Sequence, residues 1–270
     1  MHRADVEIRF ESVAPGDIRT QVVAHHRSQP YVGDFFMGHH QLSGEAARVI
    51  VNGVEAGVTA SHEGQLTYFK LDKPHRRLHR QALEAHLDAS GLSRAYVASW
   101  DLHHVDLIGG FASTIRPQAY QFELLDESSL REPVDGLALR VAGRDDLAYL
   151  TAQDFLDDYD EPLRKGEVRI AERHGSPVGI GLSVANGIND NAVDIGMYAD
   201  PAARRQGVGS SIVALLAREA RVAGKRVAAG CWWQNWGSRP SLESAGLTCV
   251  GTIFHLQLDA TRFSATETLS

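Results

Sequence analysis

Residues 199–216 read ADPAARRQGVGSSIVALL. An Asp-Pro pair, two arginines and Gly-Val-Gly come directly before a run with the apolar spacing of a helix. The glycines leave room for backbone N–H groups to converge, and the first-turn amides of a helix have no partner inside it. The helix dipole adds positive charge at the same place as Arg204 and Arg205. The stretch therefore predicts a phosphate or pyrophosphate site at the start of a helix near Ser210.

The two common phosphate-binding motifs do not fit this stretch. The nucleoside-triphosphate loop requires GxxxxGK[ST], but the nearest lysine is Lys225, at the far end of the predicted helix. The dinucleotide fingerprint GxGxxG requires a third glycine where this chain has Ile212. Another class of phosphate ligand is therefore expected.

Composition narrows the class of protein. The chain has 270 residues, with 27 Lys and Arg against 34 Asp and Glu, which gives a formal net charge of −7. This balance argues against a nucleic-acid-binding surface. No apolar run approaches a membrane span, and two cysteines are too few for a disulfide framework. We expect a cytoplasmic monomer or homodimer without nucleic-acid or membrane partners.

Two stretches of the chain resemble each other. Residues 48–61 read RVIVNGVEAGVTAS, and residues 168–183 read VRIAERHGSPVGIGLS. In each, a β-branched run reaches a turn glycine, and a second glycine follows four residues later, which predicts a hairpin with a close backbone approach. The matching glycines are Gly53 with Gly175 and Gly57 with Gly179.

The likeness continues further along the chain. RAYVASW (94–100) follows a glycine in the same way as RVAAGCWW (226–233), and each predicts a short strand after a helix. Between the copies, residues 126–136 are charged and contain Ser, Pro and Gly, as is typical of a linker. The sequence predicts two copies of one α/β unit, over 1–128 and 137–270.

The second copy resembles a known family. A strand at Val193–Ala199 leads to the pattern R-x-x-G-x-G at residues 204–209, which is similar to motif A of the GNAT superfamily of N-acetyltransferases. NWGSRPSLESAGL (235–247) is similar to motif B of that family. The resemblance implies an α/β fold with a mixed sheet: two GNAT-like domains in tandem, each a twisted, mostly antiparallel sheet flanked by helices. It further implies a degenerate first domain without a coenzyme loop and an acetyltransferase domain in the second.

Acetyl-CoA is the co-substrate that the resemblance implies, with no metal. The main chain at Met197, Tyr198 and Ala199 would contact the pantetheine arm, and the loop would hold the pyrophosphate. Asn235 matches a position that contacts the pantetheine in many members. The implied coenzyme-binding residues are Met197, Tyr198, Ala199, Arg204, Arg205, Gln206, Gly207, Val208, Gly209, Ser210 and Asn235.

Acetyl transfer to an amine needs a base, because an amine with a pKa near 10 is protonated at neutral pH. Asp194, on the strand that leads to the cleft, is the candidate base, although an exposed strand carboxylate is the other interpretation. Many family members have a tyrosine as general acid four residues before the motif B glycine, but here that residue is Leu242. Tyr198, Ser241 or Cys231 could replace it, or the thiolate could leave unaided. The apolar strand pattern around Cys231 favours a core cysteine.

The implied function is an N-acetyltransferase that acts on a primary amine of a small molecule. A non-catalytic acyl-CoA-binding or regulatory protein is an alternative, as is acetylation of protein N-termini or lysines. The sequence does not identify the acceptor. The acidic stretch DFLDDYDEP (154–162) could attract a cationic amine or be a solvated loop, and Trp232, Trp233 and Trp236 should lie beside the cleft with at least one in the core.

Histidines are concentrated in the first copy, with eleven of thirteen before residue 105. His75 and His79 have the i, i+4 spacing of a helical metal site. Arg76, Arg77 and Arg80 surround them and oppose a bound cation. A solvated helix face is therefore expected there, without a metal.

Overall fold

The structure, a computed structural model, describes residues 6–259. Its contacts divide these residues into two compact units. Unit 1 comprises residues 6–30, 36–119 and 251–259, and unit 2 comprises residues 31–35 and 120–250. Each unit therefore takes a short segment from the other half of the sequence. The two predicted sequence copies, 1–128 and 137–270, stay a prediction.

The first half of the chain contains six strands and four α-helices among the described residues. In chain order they are β1 (Ile8–Val13), α1 (Arg19–Arg27), α2 (Phe35–Leu42), β2 (Glu45–Val51), β3 (Val54–His62), β4 (Gln65–Leu71), α3 (His79–Ser90), β5 (Arg94–Ala98), α4 (Leu102–Gly109) and β6 (Ala112–Glu123).

The second half of the chain repeats much of this order. Its elements are β7 (Leu137–Val141), α5 (Leu147–Thr151), α6 (Asp160–Arg164), β8 (Val168–Arg173), β9 (Ser176–Ala185), β10 (Ala192–Ala199), α7 (Val208–Val222), β11 (Arg226–Trp232), α8 (Ser238–Ala245) and β12 (Thr248–Leu258). Residues 126–136, which belong to unit 2, contain one short 3-10 turn and are otherwise irregular.

Each unit contains a mixed sheet. In unit 1 the strand order is β1-β2-β3-β4-β5-β12, and β4–β5 is the parallel pair. In unit 2 the order is β11-β10-β9-β8-β7, and β10–β11 is the parallel pair. Every other pair in these two orders is antiparallel. The expected mixed α/β fold with helices flanking mostly antiparallel sheets is confirmed.

The glycine repeat has the structure that its pattern predicts. Asn52-Gly53 and His174-Gly175 form two-residue hairpin turns with positive φ at both residues, as a type I′ turn requires. Gly57 and Gly179 lie so close to the next strand that a Cβ would clash with a carbonyl oxygen there. Both pairs of glycines are therefore structurally equivalent.

Helix α7 supplies much of the core of unit 2. Its residues Ile212 and Leu216 are fully buried and pack against β10 and β11. In unit 1, Leu83 and Leu87 of α3 pack against β4 in the same way. Both helices end before a glycine with positive φ, Gly91 and Gly224. No helix within residues 6–259 is long and apolar enough to span a membrane.

Candidate coenzyme and acceptor site

The glycine loop between β10 and α7 begins the helix as the sequence predicts. Gly207 is the N-cap, with φ +80°, and α7 starts at Val208. Arg205 also has a positive φ of 61°, which is unusual for a residue with a side chain and often marks a functional loop. A Cβ on Gly207 would lie 2.9 Å from Val134 Cγ1. Both the backbone conformation and the space therefore require glycine at this position.

The amides of the first turn of α7 are available to a ligand. The hydroxyls of Ser210 and Ser211 both donate to the carbonyl oxygen of Gly207, at 3.1 and 2.7 Å, and no side chain caps the helix. The first intrahelical bond runs from Ser211 N to Gly207 O. The N–H groups of Val208, Gly209 and Ser210 precede it and have no acceptor inside the helix, which is the arrangement of an anion site.

A third arginine lies at this helix terminus, and sequence reasoning missed it. Arg131, in the linker, donates from Nη1 to Ser210 Oγ at 2.8 Å, and its guanidinium also lies close to Gly207. The linker is fixed to α7, since Val134 N donates to Ser211 Oγ at 3.0 Å. The linker composition indicates a loop but carries no signal for this contact.

The other residues that were predicted to bind the coenzyme have different environments. Arg204 is exposed, donates to Ala199 O at 3.1 Å and lies 5.7 Å above the ring of Tyr198. Gln206 donates to Ala202 O and accepts from Arg173. The side chain of Val208 is buried, so this residue offers only its N–H. Asn235 Oδ1 accepts from Ser238 N at 3.1 Å, which stabilises the start of α8.

The strands β10 and β11 stop pairing part of the way along. Their parallel register runs from Ala192 and Arg226 to Asp194 and Ala228. Beyond it, β10 continues through Met197 to Ala199 while it still pairs with β9 on its other side. The main chain of β10 therefore has an edge facing the gap towards β11.

The corresponding gap in unit 1 is filled by side chains. Gly57 faces Leu71 and Gly179 faces Ala199, so Phe69 and Leu71 correspond to Met197 and Ala199. Leu71 N donates to His79 Nε2 at 2.9 Å, and His104 Nε2 lies 3.0 Å from Phe69 O. The β4–β5 register contains a single pair, Leu66 with Ala95. Histidine rings therefore bind the backbone groups that face this gap.

This finding corrects one expectation. His79 is not on a solvated helix face: it is half-buried, and its ring contacts β4. Burial lowers its pKa, and Arg76 acts in the same direction. The i, i+4 spacing with His75 carries no information about this contact, because the partner lies on a preceding strand.

Asp194 is a buried carboxyl group at the point where β10 and β11 separate. Its Oδ2 accepts from Asn186 Nδ2 at 3.0 Å, and its Oδ1 has no hydrogen-bonding partner among the described residues. Burial, as the largest cause, and the charge of Asp34 together raise the pKa of Asp194 to about 8. The Asn186 bond and the N–H of Phe35 oppose the shift. The interpretation as an exposed strand carboxylate is therefore wrong.

Asp34 belongs to the short segment 31–35 of unit 2, and sequence reasoning missed it. Its carboxylate lies against Gly230 of β11, where a Cβ would clash with Oδ2. Gly230 is two residues beyond Ala228, where the strand pairing ends. Val32, two residues before Asp34, packs against Ala192 and Ala228. Two carboxyl groups thus share the base of the gap.

The candidate general acids lie on opposite faces of β10. Tyr198 is on the same face as Asp194, and its hydroxyl donates to Gln153 Oε1 at 3.1 Å. Ser241 of α8 lies near Gly209 and donates to Gly237 O. Leu242 is buried in the core. Cys231 is also buried, and this burial raises the pKa of its thiol, as expected for a core cysteine.

The candidate acceptor surfaces are exposed. Trp232 is 53% exposed and Trp236 is 80% exposed, whereas Trp233 is half-buried, so the expectation of a core tryptophan among the three is wrong. In the acidic stretch 154–162, Phe155 and Leu156 pack near Tyr198, and four aspartates remain exposed. The acidic stretch therefore borders the face of β10 that carries Asp194.

The part of the chain that contains the glycine loop matches a known protein family. Residues 140–240 match a family described as Acetyltransferase (GNAT) family. This range includes β10, the glycine loop, α7 and β11. No curated protein sequence matches the chain.

Solved structures share the fold. A GNAT-family acetyltransferase from Colwellia psychrerythraea superposes with a TM-score of 0.80 at 17% identity, over 93% of this chain and 100% of that chain. A tandem GNAT protein from the clavulanic acid biosynthesis pathway, without AcCoA, gives 0.58 at 12% identity, over 93% and 98%. A GCN5-related N-acetyltransferase from Sphaerobacter thermophilus gives 0.56 at 16% identity, over 93% and 95%. At these identities the likeness concerns the fold.

Proposed function

We propose that unit 2 transfers an acetyl group from acetyl-CoA to the primary amine of a small molecule, because residues 140–240 match the Acetyltransferase (GNAT) family. The observation that carries the proposal is the convergence of three features: the uncapped first turn of α7, the gap between β10 and β11, and the buried Asp194. Each supplies one requirement of the reaction.

The glycine loop would bind the pyrophosphate of acetyl-CoA. Three free amides, the helix dipole and the guanidinium groups of Arg131, Arg204 and Arg205 combine their attraction for an anion. The gap would take the pantetheine arm, with the main chain of Met197 and Ala199 as its hydrogen-bonding edge.

Asp194 would accept the proton of the acceptor amine. Its unpartnered Oδ1 is a free acceptor in a buried place, and its pKa of about 8 lies near the operating range of a general base. A cationic amine beside Asp34 and Asp194 would lower the pKa of Asp194, since an opposite charge favours the ionised carboxylate. The pair would thus both attract an ammonium group and deprotonate it.

Acetyl transfer forms one bond, breaks another and moves protons between named groups. The neutral amine nitrogen attacks the carbonyl carbon of the thioester, a new C–N bond forms, and the C–S bond breaks. Asp194 holds the proton that it removed from the ammonium group, the nitrogen releases its second proton as the C–N bond forms, and the departing thiolate takes up one proton through Tyr198, Ser241 or solvent. An N–H of the β10 segment would stabilise the negative charge that develops on the carbonyl oxygen.

Unit 1 would not bind acetyl-CoA. The rings of His79 and His104 contact the backbone groups of β4 that correspond to those proposed to bind the pantetheine arm in β10. The first copy also has no glycines between Pro74 and its helix α3. One coenzyme per chain is therefore expected.

The test combines calorimetric titration of acetyl-CoA with an assay for free thiol. We expect one acetyl-CoA per chain, and thiol release that depends on a small amine rather than on peptides with a free N-terminus or lysine. Release with peptides alone would make the protein a protein acetyltransferase. Binding without release for any amine would make it a non-catalytic acyl-CoA-binding protein, and failure to bind would remove the proposal.

Arg131 should contribute to coenzyme affinity. We expect Arg131→Met to weaken acetyl-CoA binding about 10-fold, because a charge-assisted hydrogen bond contributes roughly 1.5–3 kcal/mol. Titration at two salt concentrations should show a smaller salt dependence in the variant. Arg221→Met, which removes an arginine from the far end of the same helix, is the matched control. Equal affinities for the two variants would exclude Arg131 from the site.

A further inference from the structure

A group of metal-ligating side chains lies in unit 1 and includes none of the residues discussed so far. One ligand atom each from His40, His62 and Glu63 lies within 4.8 Å of the others. His40 is on α2, His62 ends β3, and Glu63 begins the turn to β4. Two separate elements of unit 1 therefore bring imidazole and carboxylate groups together.

The backbone around this cluster is held in place. Glu63 and Gly64 form a two-residue turn, with φ of 50° and 71°, between the paired residues His62 and Gln65. Gly44, two residues after α2, lies so close to the main chain of Ser61 and His62 that a Cβ would clash there. The end of α2 and the tip of the hairpin are thus fixed against each other.

The ring of His40 is oriented as in a ligating histidine. Its Nδ1 donates to Phe36 O at 2.8 Å, so that the neutral ring has its lone pair on Nε2. Phe36 also packs against the ring, with centroids 3.9 Å apart. Histidines that bind metals commonly donate their second nitrogen to a backbone carbonyl in this way.

A third imidazole adjoins the cluster. The ring of His39 lies 5.3 Å from that of His62 and 5.6 Å from that of His40, between centroids. The rings of His40 and His62 are 4.8 Å apart. Three imidazole rings therefore lie side by side at this place.

We propose that His40, His62 and Glu63 bind a Zn²⁺ ion, with His39 adjacent as a further imidazole ligand. Nitrogen and carboxylate oxygen are ligands that zinc accepts in tetrahedral sites. In a tetrahedral site two ligand atoms bonded at about 2.1 Å are about 3.4 Å apart, so side-chain rotations that bring the ligand atoms closer by up to about 1.4 Å close the site. The ion would cross-link α2 to the β3–β4 hairpin.

A second histidine cluster in unit 1 is a poorer zinc site. His25, Asp101 and His104 are buried and also close together. However, Asp101 Oδ2 accepts from both rings at 2.6 Å, His25 Nδ1 binds Lys70 Nζ, and His104 Nε2 contacts Phe69. Every ring nitrogen therefore has a protein partner, and a metal would have to replace hydrogen bonds that already exist.

The test is calorimetric titration of Zn²⁺ into the untagged full chain after treatment with a chelator. We expect one zinc per chain, with affinity at least about 10-fold weaker in His62→Asn and weaker also in Glu63→Gln. His75→Asn, a half-exposed histidine outside the cluster, is the matched control and should bind as the wild type does. Co²⁺ should give a visible spectrum of nitrogen and oxygen coordination that is lost in His62→Asn.

The two histidine clusters are separated by a further variant, His104→Gln. If zinc binding survives His62→Asn and is lost in His104→Gln, the proposal is wrong and the buried cluster is the site. Absence of binding at about 100 μM Zn²⁺ also overturns it. Melting curves with and without zinc verify that each variant folds. Because the readout is metal binding, the result is independent of whether unit 2 transfers acetyl groups.

Discussion

Gly209→Asp is expected to weaken acetyl-CoA binding by at least about 100-fold while the protein stays folded. Gly209 is the second residue of α7, where a carboxylate is favourable to the helix dipole but repels the pyrophosphate. A Cβ there would lie 3.3 Å from Ser241 Oγ and 3.4 Å from Met197 Sδ, so small shifts accommodate it. Calorimetric titration measures the loss, and thermal melting measures the stability.

The control for this variant is Gly143→Asp. Gly143 precedes the short helical turn before α5, and a Cβ there meets nothing within 4 Å. The same charge is thus added to unit 2 outside the glycine loop, and acetyl-CoA affinity should be unchanged. Wild-type affinity in Gly209→Asp would mean that the first turn of α7 does not hold the pyrophosphate.

Asp194→Asn is expected to lower kcat/KM for the acceptor amine by about 100-fold to 10,000-fold, the range for loss of a general base. The amide keeps the size of the side chain but cannot accept the amine proton. Thiol release under saturating acetyl-CoA measures the effect. Asp145→Asn, an exposed carboxylate in the same unit, serves as the control and should retain full activity. Wild-type rates in Asp194→Asn would exclude Asp194 as the base.

The same substitution should make the protein more stable at alkaline pH. The pKa of Asp194 is raised from 3.8 to about 8 in the folded protein. Between these pH values the folded state holds a proton that the unfolded state has lost, so stability falls as the pH rises from about 4 to about 8. Asparagine does not ionise. We expect Tm at pH 8 to exceed the wild-type value by roughly 5 °C or more, and the difference to vanish near pH 4.

Asp34→Asn distinguishes a carboxylate pair from an isolated buried acid. Because the charge of Asp34 raises the pKa of Asp194, its removal should move the rising limb of the pH–rate profile to lower pH. If the rising limb of the pH–rate profile stays at the same pH, ionisation of Asp194 does not control the rate.

The local elements were predictable because their signals are local. Glycines four residues apart predict both hairpins, since glycine readily adopts the positive φ at Gly53 and Gly175 and a Cβ would clash at Gly57 and Gly179. The loop from Arg204 to Gly209 predicts the start of α7 for the same reason. The position of Asp194 on β10 followed from the strand pattern, but its burial did not, because burial depends on a distant segment.

The residues that the sequence did not reveal reach the site from far along the chain. Asp34 is 160 positions before Asp194, and Arg131 is 79 positions before Ser210. Neither lies in a motif, and no periodicity connects them to the loop. His79 and His104 were missed similarly, because a helix pattern shows which face is polar but not which strand edge a ring contacts.

In unit 1, side chains of the protein itself occupy the gap beside β4 where a ligand could otherwise bind. His79 and His104 contact backbone groups at the edge of β4, so these groups have partners within the chain itself. If acetyl-CoA binds along the equivalent edge of β10 as proposed, that edge is protected only in molecules that hold the coenzyme. The local stability of unit 2 would then depend on coenzyme concentration through mass action, whereas that of the matching region of unit 1 would not.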